Sequence, residues 1–428
     1  MEYPRPRTAW TMTGLLTLAY ILSYVDRSIL GLLITPIKAD LHISDEKMGY
    51  LIGWAFGLFY ATIGVPLGWL ADRARRTRIV AAGVALWSLA TIASGLARGF
   101  GPLFGARMGV GVGEATLSPC AMSLIGDSFP PEKRGLPVGI YSTALALGAG
   151  IASLIGAVVL GMSKGSADIV LPLIGALRPW QFALFVVGLP GLALAPLFLL
   201  LREPPRRSPA SAPSGFGDAW DALRRHLGAL GGVMLLAAVM TTIAYSQQFN
   251  ARGFELTYGW PARDYAKVNG SINLIVGPLT VIGVGLLADR WRAAGTRDAA
   301  FRLLAIGFVP MLPASALPLF MPTPAWSFAM MAVSSACIGT VTAAAIIALL
   351  DITPAAVRGQ IVALYYMALS VAGLGLGPTT VGILSTRVYG EAHLRSAMAT
   401  VPLLYGVVPL LLLPLIARAY RRRLEEMA

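Results

Sequence analysis

Runs of roughly 20 weakly charged residues recur from one end of this 428-residue chain to the other. That is the length a helix needs to cross ~30 Å of hydrocarbon. A lipid-exposed backbone must satisfy its own hydrogen bonds, which leaves helices or a closed barrel. The runs are too long and too continuously apolar for barrel strands. Charged residues make up 13% of the chain and hydrophobic ones 56%, where a soluble domain carries about a quarter charged. The pattern therefore predicts an all-α membrane protein and excludes a large soluble core. Twelve spans are expected, over 10–35, 47–71, 77–98, 101–126, 136–162, 180–201, 228–252, 264–288, 300–321, 325–350, 359–386 and 396–418. Between spans 6 and 7 lies REPPRRSPASAPSGFGDAWDALRRH, whose Pro, Ser and Arg content marks a linker. This divides the chain into an N-terminal six-helix bundle (1–201), a cytoplasmic linker (202–227) and a C-terminal six-helix bundle (228–428). FGDAWDALRRHL, within the linker, is expected to form a short interfacial helix.

The net charge of +13 invites a nucleic-acid reading, but the basic residues gather at span ends on one side. The arginine-rich segments 73–78, 202–225, 290–302 and 418–423 all fall there. No nucleic-acid partner is expected; the partner is the lipid bilayer. An excess of Lys and Arg marks the cytoplasmic side, so both termini are expected in the cytoplasm. Cys120 and Cys337 sit inside apolar runs, so neither a disulfide framework, a zinc site nor a thiol redox centre is expected. The first apolar run is too long for a cleaved signal and continues into Asp26-Arg27. The three histidines, His42, His226 and His393, fall in loops. With no nucleotide P-loop and no G-x-S-x-G, an ATP-driven pump and a serine hydrolase drop out, and no cofactor is expected.

The two halves repeat. GWLADRARR at Gly68–Arg76 returns as GLLADRWRA at Gly285–Ala293. DSFPPEKRG at Asp127–Gly135 returns as DITPAAVRG at Asp351–Gly359, and Tyr141 and Tyr365 keep the same offset. A parallel repeat of two six-span halves places a translocation route at their interface.

These motifs resemble those of the major facilitator superfamily over nearly the whole chain. GWLADRARR is similar to its signature between spans 2 and 3, and RMGVGVGEA at Arg107–Ala115 to its span-4 signature. Asp26-Arg27 in span 1 together with Gly111-x-Gly113-Glu114-Ala115 in span 4 resembles the Spinster family. That resemblance implies twelve helices in two pseudo-symmetric bundles, alternating access, and cargo such as lysophospholipids or sphingosine-1-phosphate. Many superfamily members are proton-coupled. The Gly-Pro pair of the span-5 antiporter signature is absent from LGAGIASLIGAVVLG, which leaves symport and antiport open.

Two acids and two arginines lie inside spans: Asp26, Arg27, Arg107 and Glu114. A charge near the bilayer centre costs at least ~2.5 kcal/mol, so such residues pair or face a water-filled cavity. At ~1.5 Å rise per residue, Asp26 and Arg27 lie ~4–7 Å outward of the centre of span 1. Glu114 lies near the centre of span 4, with Arg107 ~10 Å outward on the same face. The helices run antiparallel, so Arg27 can reach Glu114 and Arg107 can reach Asp26. A fixed structural ion-pair cluster is one reading. The functional one makes Asp26 and Glu114 proton carriers that alternate between arginine and a proton. Arg27 and Arg107 form the ion-pair or substrate set, because a guanidinium fork suits phosphate or carboxylate.

Gly68, Asp72, Arg73, Arg76, Arg134, Asp289, Arg290 and Arg358, in the repeated loops, are assigned to gating. There Asp72 and Asp289 can cap a neighbouring helix or pair with arginines such as Arg73, Arg75, Arg134 or Arg358. Retention of loop arginines for topology alone is the blander account. Gly109, Gly111 and Gly113, and GLGLGP at Gly373–Pro378, permit close helix packing or substrate contact, and Pro378 is expected to bend span 11. Gln247, Gln248 and Asn250 in span 7, with Asn269 and Asn273 in span 8, are candidates to line the cavity or to bond between helices.

The expectation is a monomeric secondary transporter in a bacterial inner membrane, moving a small amphiphilic anion with protons as coupling ion. A carrier of soluble organic anions or drugs is the alternative within transport. A lipid-modifying membrane enzyme or a receptor is the alternative of another class, weakened by the lack of a nucleophile–base set.

Overall fold

Helix satisfies every backbone group within one segment, and the apolar runs are helical almost throughout. The computed structural model describes residues 3–71, 73–130, 133–162, 168–172, 174–206, 216–354 and 357–427. Ten helices, some jointed, are long and apolar enough to cross a bilayer. Two more, Asp45–Ile52 continued by Trp54–Ala71, and Gly135–Met162, complete twelve spans. The first four spans are Pro6–Leu32 with Ile34–Leu41, the jointed Asp45–Ala71, Arg76–Gly95, and Phe100–Glu114 with Leu117–Ser128. Spans 5 and 6 are Gly135–Met162 and Pro179–Leu200. Span 7 covers Leu227–Tyr258, span 8 Ala262–Ala293 and span 9 Ala299–Ala316. Spans 10 and 11 are Pro324–Asp351 and Arg358–Tyr389, and span 12 reaches Met427. The helix foreseen in the linker is present as Phe216–Arg225. A small antiparallel hairpin, Ile169–Leu171 with Gly175–Leu177, lies between spans 5 and 6; its turn puts Gly175 at φ +95°.

Local chemistry sets the joints. Span 1 breaks at Leu33, three residues before Pro36. A proline cannot donate to the preceding turn and crowds the carbonyl four residues back. Span 4 breaks at Ala115–Thr116, after the run Gly109-x-Gly111-x-Gly113, and the Thr116 hydroxyl donates to Gly113 O at 2.8 Å. Glu114 is thus the last residue of its helical segment. Span 11 widens into a π-helical stretch over Ser370–Leu376 and resumes at Gly377-Pro378, which locates the expected bend.

The seam between the halves is made by spans 2 and 11 and by spans 5 and 8. Glycine lets the backbones touch: a Cβ on Gly49 would stand 2.7 Å from Pro378 O, and one on Gly150 would stand 2.7 Å from Leu274 N. These contacts lie toward the side opposite the termini. There one apolar core runs across both halves, joining Ile29, Ile34, Met48 and Leu51 to Phe249, Phe254, Val381 and Val401. Toward the termini the core divides into a first-half cluster around Val80, Trp87 and Leu124 and a second-half cluster around Leu304, Val341 and Tyr365. The terminal ends of the seam spans carry exposed Leu70, Leu136, Ile140, Ile282, Leu286 and Tyr366. The halves are joined on the far side and part toward the termini.

Candidate functional site

Span 1 places Tyr20, Ser23, Tyr24 and Arg27 on one face, three or four residues apart. Arg27 Nε meets Glu114 Oε2 at 2.5 Å, and the Ser23 hydroxyl donates to the same oxygen at 2.6 Å. The Arg27 guanidinium also lies 4.7 Å from the ring centre of Phe56 and 4.8 Å from that of Tyr60. Arg27 is 9% exposed and Glu114 1%. A cation so placed gains from the carboxylate and from two ring faces, and every one of these interactions strengthens away from water. Tyr20 stacks on Tyr141 with ring centres 5.0 Å apart. Tyr60, Tyr20 and, from span 7 of the other half, Tyr245 complete the electrostatic surroundings of Arg27.

The neighbouring acid is differently placed. Asp26 is 2% and Arg107 1% exposed, and the two are electrostatic neighbours. No ion pair joins them among the described residues, so the Asp26–Arg107 contact expected from the sequence is not made. Asp26 Oδ1, Arg107 Nε and Nη1 and Glu114 Oε1 are buried without a hydrogen-bond partner, and the Thr91 hydroxyl is a neighbour close enough to interact with the Asp26 carboxylate. The helical rise placed these groups at matching depth, but the rotation of span 4 leaves Arg107 beside Asp26 rather than on it. A buried polar group left unpaired costs about 1–3 kcal/mol, more if charged.

The span-4 glycines serve packing. A Cβ on Gly111 would stand 2.6 Å from Phe56 O, and one on Gly113 2.7 Å from Gly83 O and Trp87 N. Phe56 and Glu114 reach opposite sides of Arg27 because spans 2 and 4 approach this closely.

The repeated loops divide their work differently from expectation. Asp72 lies outside the described residues; Gly68 falls in the helix Trp54–Ala71, and Arg73 just beyond it. Arg76 is buried and holds Asp127 in an ion pair, Glu203 at 2.9 Å, the Ser123 hydroxyl at 2.7 Å and Pro204 O at 3.0 Å. In the second half Arg292 pairs with Asp351, the repeat counterpart of Asp127, and Tyr420 donates to Asp351 at 3.3 Å. Asp289 and Arg290 are exposed and make no ion pair among the described residues. Their expected pairing is not made because the turn of the helix at Ala288–Ala293 carries Arg292, not Arg290, toward span 10. Arg134 Nε donates to Phe129 O at 2.9 Å and Arg358 Nη2 to Thr353 O at 3.5 Å, each five residues back. These arginines close equivalent loops, and neither pairs with an acid among the described residues. Asp127, Glu203 and Asp351 were not singled out as site residues from the sequence; for Asp127 and Asp351 the signal was the acid opening each copy of the second repeat motif, and Glu203 in the linker had none.

In the second half, Gln247 donates to Ser334 at 2.9 Å, Ser315 and Ser334 share a 2.7 Å hydrogen bond, and Ser335 donates to Asn273 at 2.9 Å. Asn250 is buried beside the Tyr265 hydroxyl, and the Gln248 carbonyl abuts Gly31 across the seam. Of the five polar candidates, only Asn269 has no such contact among the described residues. Bonding between helices, one of the two expectations, accounts for Gln247, Asn250 and Asn273, while Gln248 packs against Gly31.

A charged cluster that the sequence did not reveal closes the far side. Lys38 pairs with Asp45 and, at 2.5 Å, with Glu391; Arg252 lies 3.1 Å from Asp45. Asp45 N donates to Glu391 at 2.7 Å, and the Ser385 hydroxyl to Asp45 Oδ2 at 2.7 Å. Arg387 Nε donates to Glu46 at 2.8 Å, and Thr35 to Glu255 at 2.5 Å. Asp45 is fully buried. Lys38 and Asp45 belong to the first half, Arg252, Ser385 and Glu391 to the second, so the cluster ties the halves together.

Two jointed six-helix bundles, joined on one side and holding a buried ion pair between spans 1 and 4, have the architecture of a membrane transporter. The chain belongs to the Major Facilitator Superfamily, whose family model matches residues 16–378. It is 31% identical to an MFS-type efflux pump of Mycolicibacterium smegmatis over 73% of this chain and 70% of that protein. It is 33% identical to protein spinster homolog 1 of Homo sapiens over 44% of this chain and 33% of that protein. It also matches the sphingosine-1-phosphate transporter of Danio rerio, at 27% identity over 49% of this chain and 39% of that protein. In fold it is similar to a crystal structure of a bacterial homologue of the human lysosomal transporter Spinster, captured inward-facing and unoccupied. The TM-score is 0.81 at 24% identity, covering 99% of this chain and 98% of the other. The chain is accordingly an integral multi-pass membrane transporter, Spinster-like in its relatives, and not an enzyme.

Proposed function

We propose that the chain is a proton-coupled secondary transporter of a lysolipid or related amphiphilic anion, working by alternating access between units 1–201 and 228–428 joined by the linker 202–227. The observation that carries the proposal is the buried Arg27–Glu114 pair, set beside the buried carboxyl of Asp26. An anionic headgroup entering the cleft competes with Glu114 for Arg27. Released from its guanidinium, Glu114 sits in an apolar, desolvated position and takes a proton. Asp26 and Arg107 form the second station, where the proton waits while the halves rock. Phe56, Tyr60, Tyr20 and Tyr245 supply ring faces and hydroxyls around the headgroup, and the apolar walls take the chain.

The far-side cluster of Lys38, Asp45, Arg252 and Glu391 acts as the gate. The Arg76–Asp127 and Arg292–Asp351 pairs brace the opposite ends of the two halves as they move. By the distribution of arginine, the terminal side is cytoplasmic and the membrane a bacterial inner membrane.

The efflux-pump relative, which aligns over most of the chain, supports a second reading in which the cargo is an organic anion or drug taken up by the same tyrosine-lined site. Flux of labelled lysolipid in proteoliposomes, with and without an imposed pH gradient, separates the two. Gradient-stimulated lysolipid flux supports the first; gradient-driven flux of a soluble aromatic anion with no lysolipid flux supports the second. Lysolipid turned over to product would sink both.

A further inference from the structure

The stretch LRRHLGALGG at 223–232 enters span 7 with glycines facing span 12. A Cβ on Gly228 would stand 3.1 Å from the Ala419 side chain, and one on Gly232 2.5 Å from that of Ile416. The two helices therefore pack closely there, and an open groove of ≈ 360 Å³ runs along the outer surface beside the contact, with Leu227, Gly231, Leu235, Leu412 and Leu415 in its walls. Leu227 and Leu415 stand exposed.

The terminal mouth of the groove is cationic. Arg418 and Arg422 follow Leu415 by one and two helical turns on the same face, and Arg225 lies one turn before Gly228 in sequence. All three are exposed and make no ion pair among the described residues. The nearby acid, Glu426, is engaged by Arg423 at 2.9 Å and faces His226 at 3.8 Å. Exposed Trp220 lies under the Arg224 guanidinium at 5.1 Å, which sets this short helix at the depth of the headgroups, where tryptophan gathers.

We propose that the groove binds one anionic phospholipid of the leaflet on the terminal side, its acyl chain between spans 7 and 12 and its phosphate held by Arg225, Arg418 and Arg422. A zwitterionic lipid fills the apolar part equally well but leaves the cations less satisfied, so headgroup preference is the signature. Basic residues at an anionic surface each favour the anionic lipid. The site is separate from the translocation site and does not depend on the cargo.

The test is native mass spectrometry of the full-length protein extracted from membranes holding equal phosphatidylglycerol and phosphatidylcholine of identical chains. The wild type is expected to retain one phosphatidylglycerol with a preference of roughly tenfold or more. Replacing Arg225, Arg418 and Arg422 together by Ala should bring that preference near unity. Leu415→Trp, which fills the groove from an exposed wall, should lower occupancy while leaving the fold intact. Arg5→Ala with Arg7→Ala, basic residues elsewhere, should change neither. Equal retention of both lipids by the wild type, as for annular lipid only, would overturn the site. So would an equal loss in the Arg5/Arg7 control, or displacement of the lipid by millimolar inorganic phosphate.

Discussion

Arg27 is held from two directions at once, by the Glu114 carboxylate at 2.5 Å and by the rings of Phe56 and Tyr60. Removing one member of a buried ion pair strands the other, at about 3–5 kcal/mol, while replacing both with apolar residues can be neutral. Glu114→Ala is therefore expected to lower thermal stability in detergent sharply, and Arg27→Met with Glu114→Leu to restore most of it. Equal melting temperatures for the wild type and Glu114→Ala would show that the pair is not buried as described. The glycines offer a second comparison. Gly113→Ala must displace the backbone of Gly83 and Trp87, whereas the Cβ of Gly105→Ala meets nothing within 4 Å. The first should destabilise by about 1–3 kcal/mol; the second should be neutral or slightly stabilising, since Ala favours helix over Gly. At this scale the sequence located Arg27 and Glu114, because depth in a membrane helix follows from counting residues. It did not locate the contacts of Arg107 and Asp26, because those depend on helix rotation, which packing against other spans decides.

The jointed elements carry most of what the chemistry needs. Span 4 ends its first segment at Glu114 because three glycines weaken the helix and Thr116 turns its hydroxyl back to Gly113 O. The two loop arginines, Arg134 and Arg358, make the same bond to the carbonyl five residues earlier in each half. A repeat visible in sequence is thus a repeat in hydrogen bonding. Arg134→Ala and Arg358→Ala should each lower stability by only about 1 kcal/mol. Arg76→Ala, which abandons Asp127 and Glu203 together, should cost several times more; equal shifts in unfolding temperature for all three would contradict this division. Span number and placement were legible because apolar length is a local property. The joints at Leu33 and Ala115 were less so, and the π-helical stretch of span 11 not at all, since it answers to Trp54 across the seam and to Thr241 of span 7.

Over the whole molecule, one shared core and one ionic cluster hold the far side closed, and two separate cores lie toward the termini. Lys38 and Arg252 read from sequence as ordinary loop cations; only the fold brings Arg252 and Glu391, distant in sequence, to the pair that Lys38 makes with nearby Asp45. Asp45→Ala leaves Lys38 and Arg252 without their common partner and should shift the equilibrium toward opening of the far side. Spin labels at exposed Lys47 and Tyr389, one on each half, would report this as a longer distance population than in the wild type; an unchanged distribution would remove the cluster from the gate. The central claim is that Glu114 exchanges its arginine for a proton as cargo crosses. The most direct measurement compares Glu114→Gln with the wild type in proteoliposomes, for cargo exchange at equal pH and for accumulation driven by a pH gradient. Exchange near the wild-type rate with gradient-driven accumulation abolished is the predicted result; accumulation at the wild-type level in Glu114→Gln would contradict it.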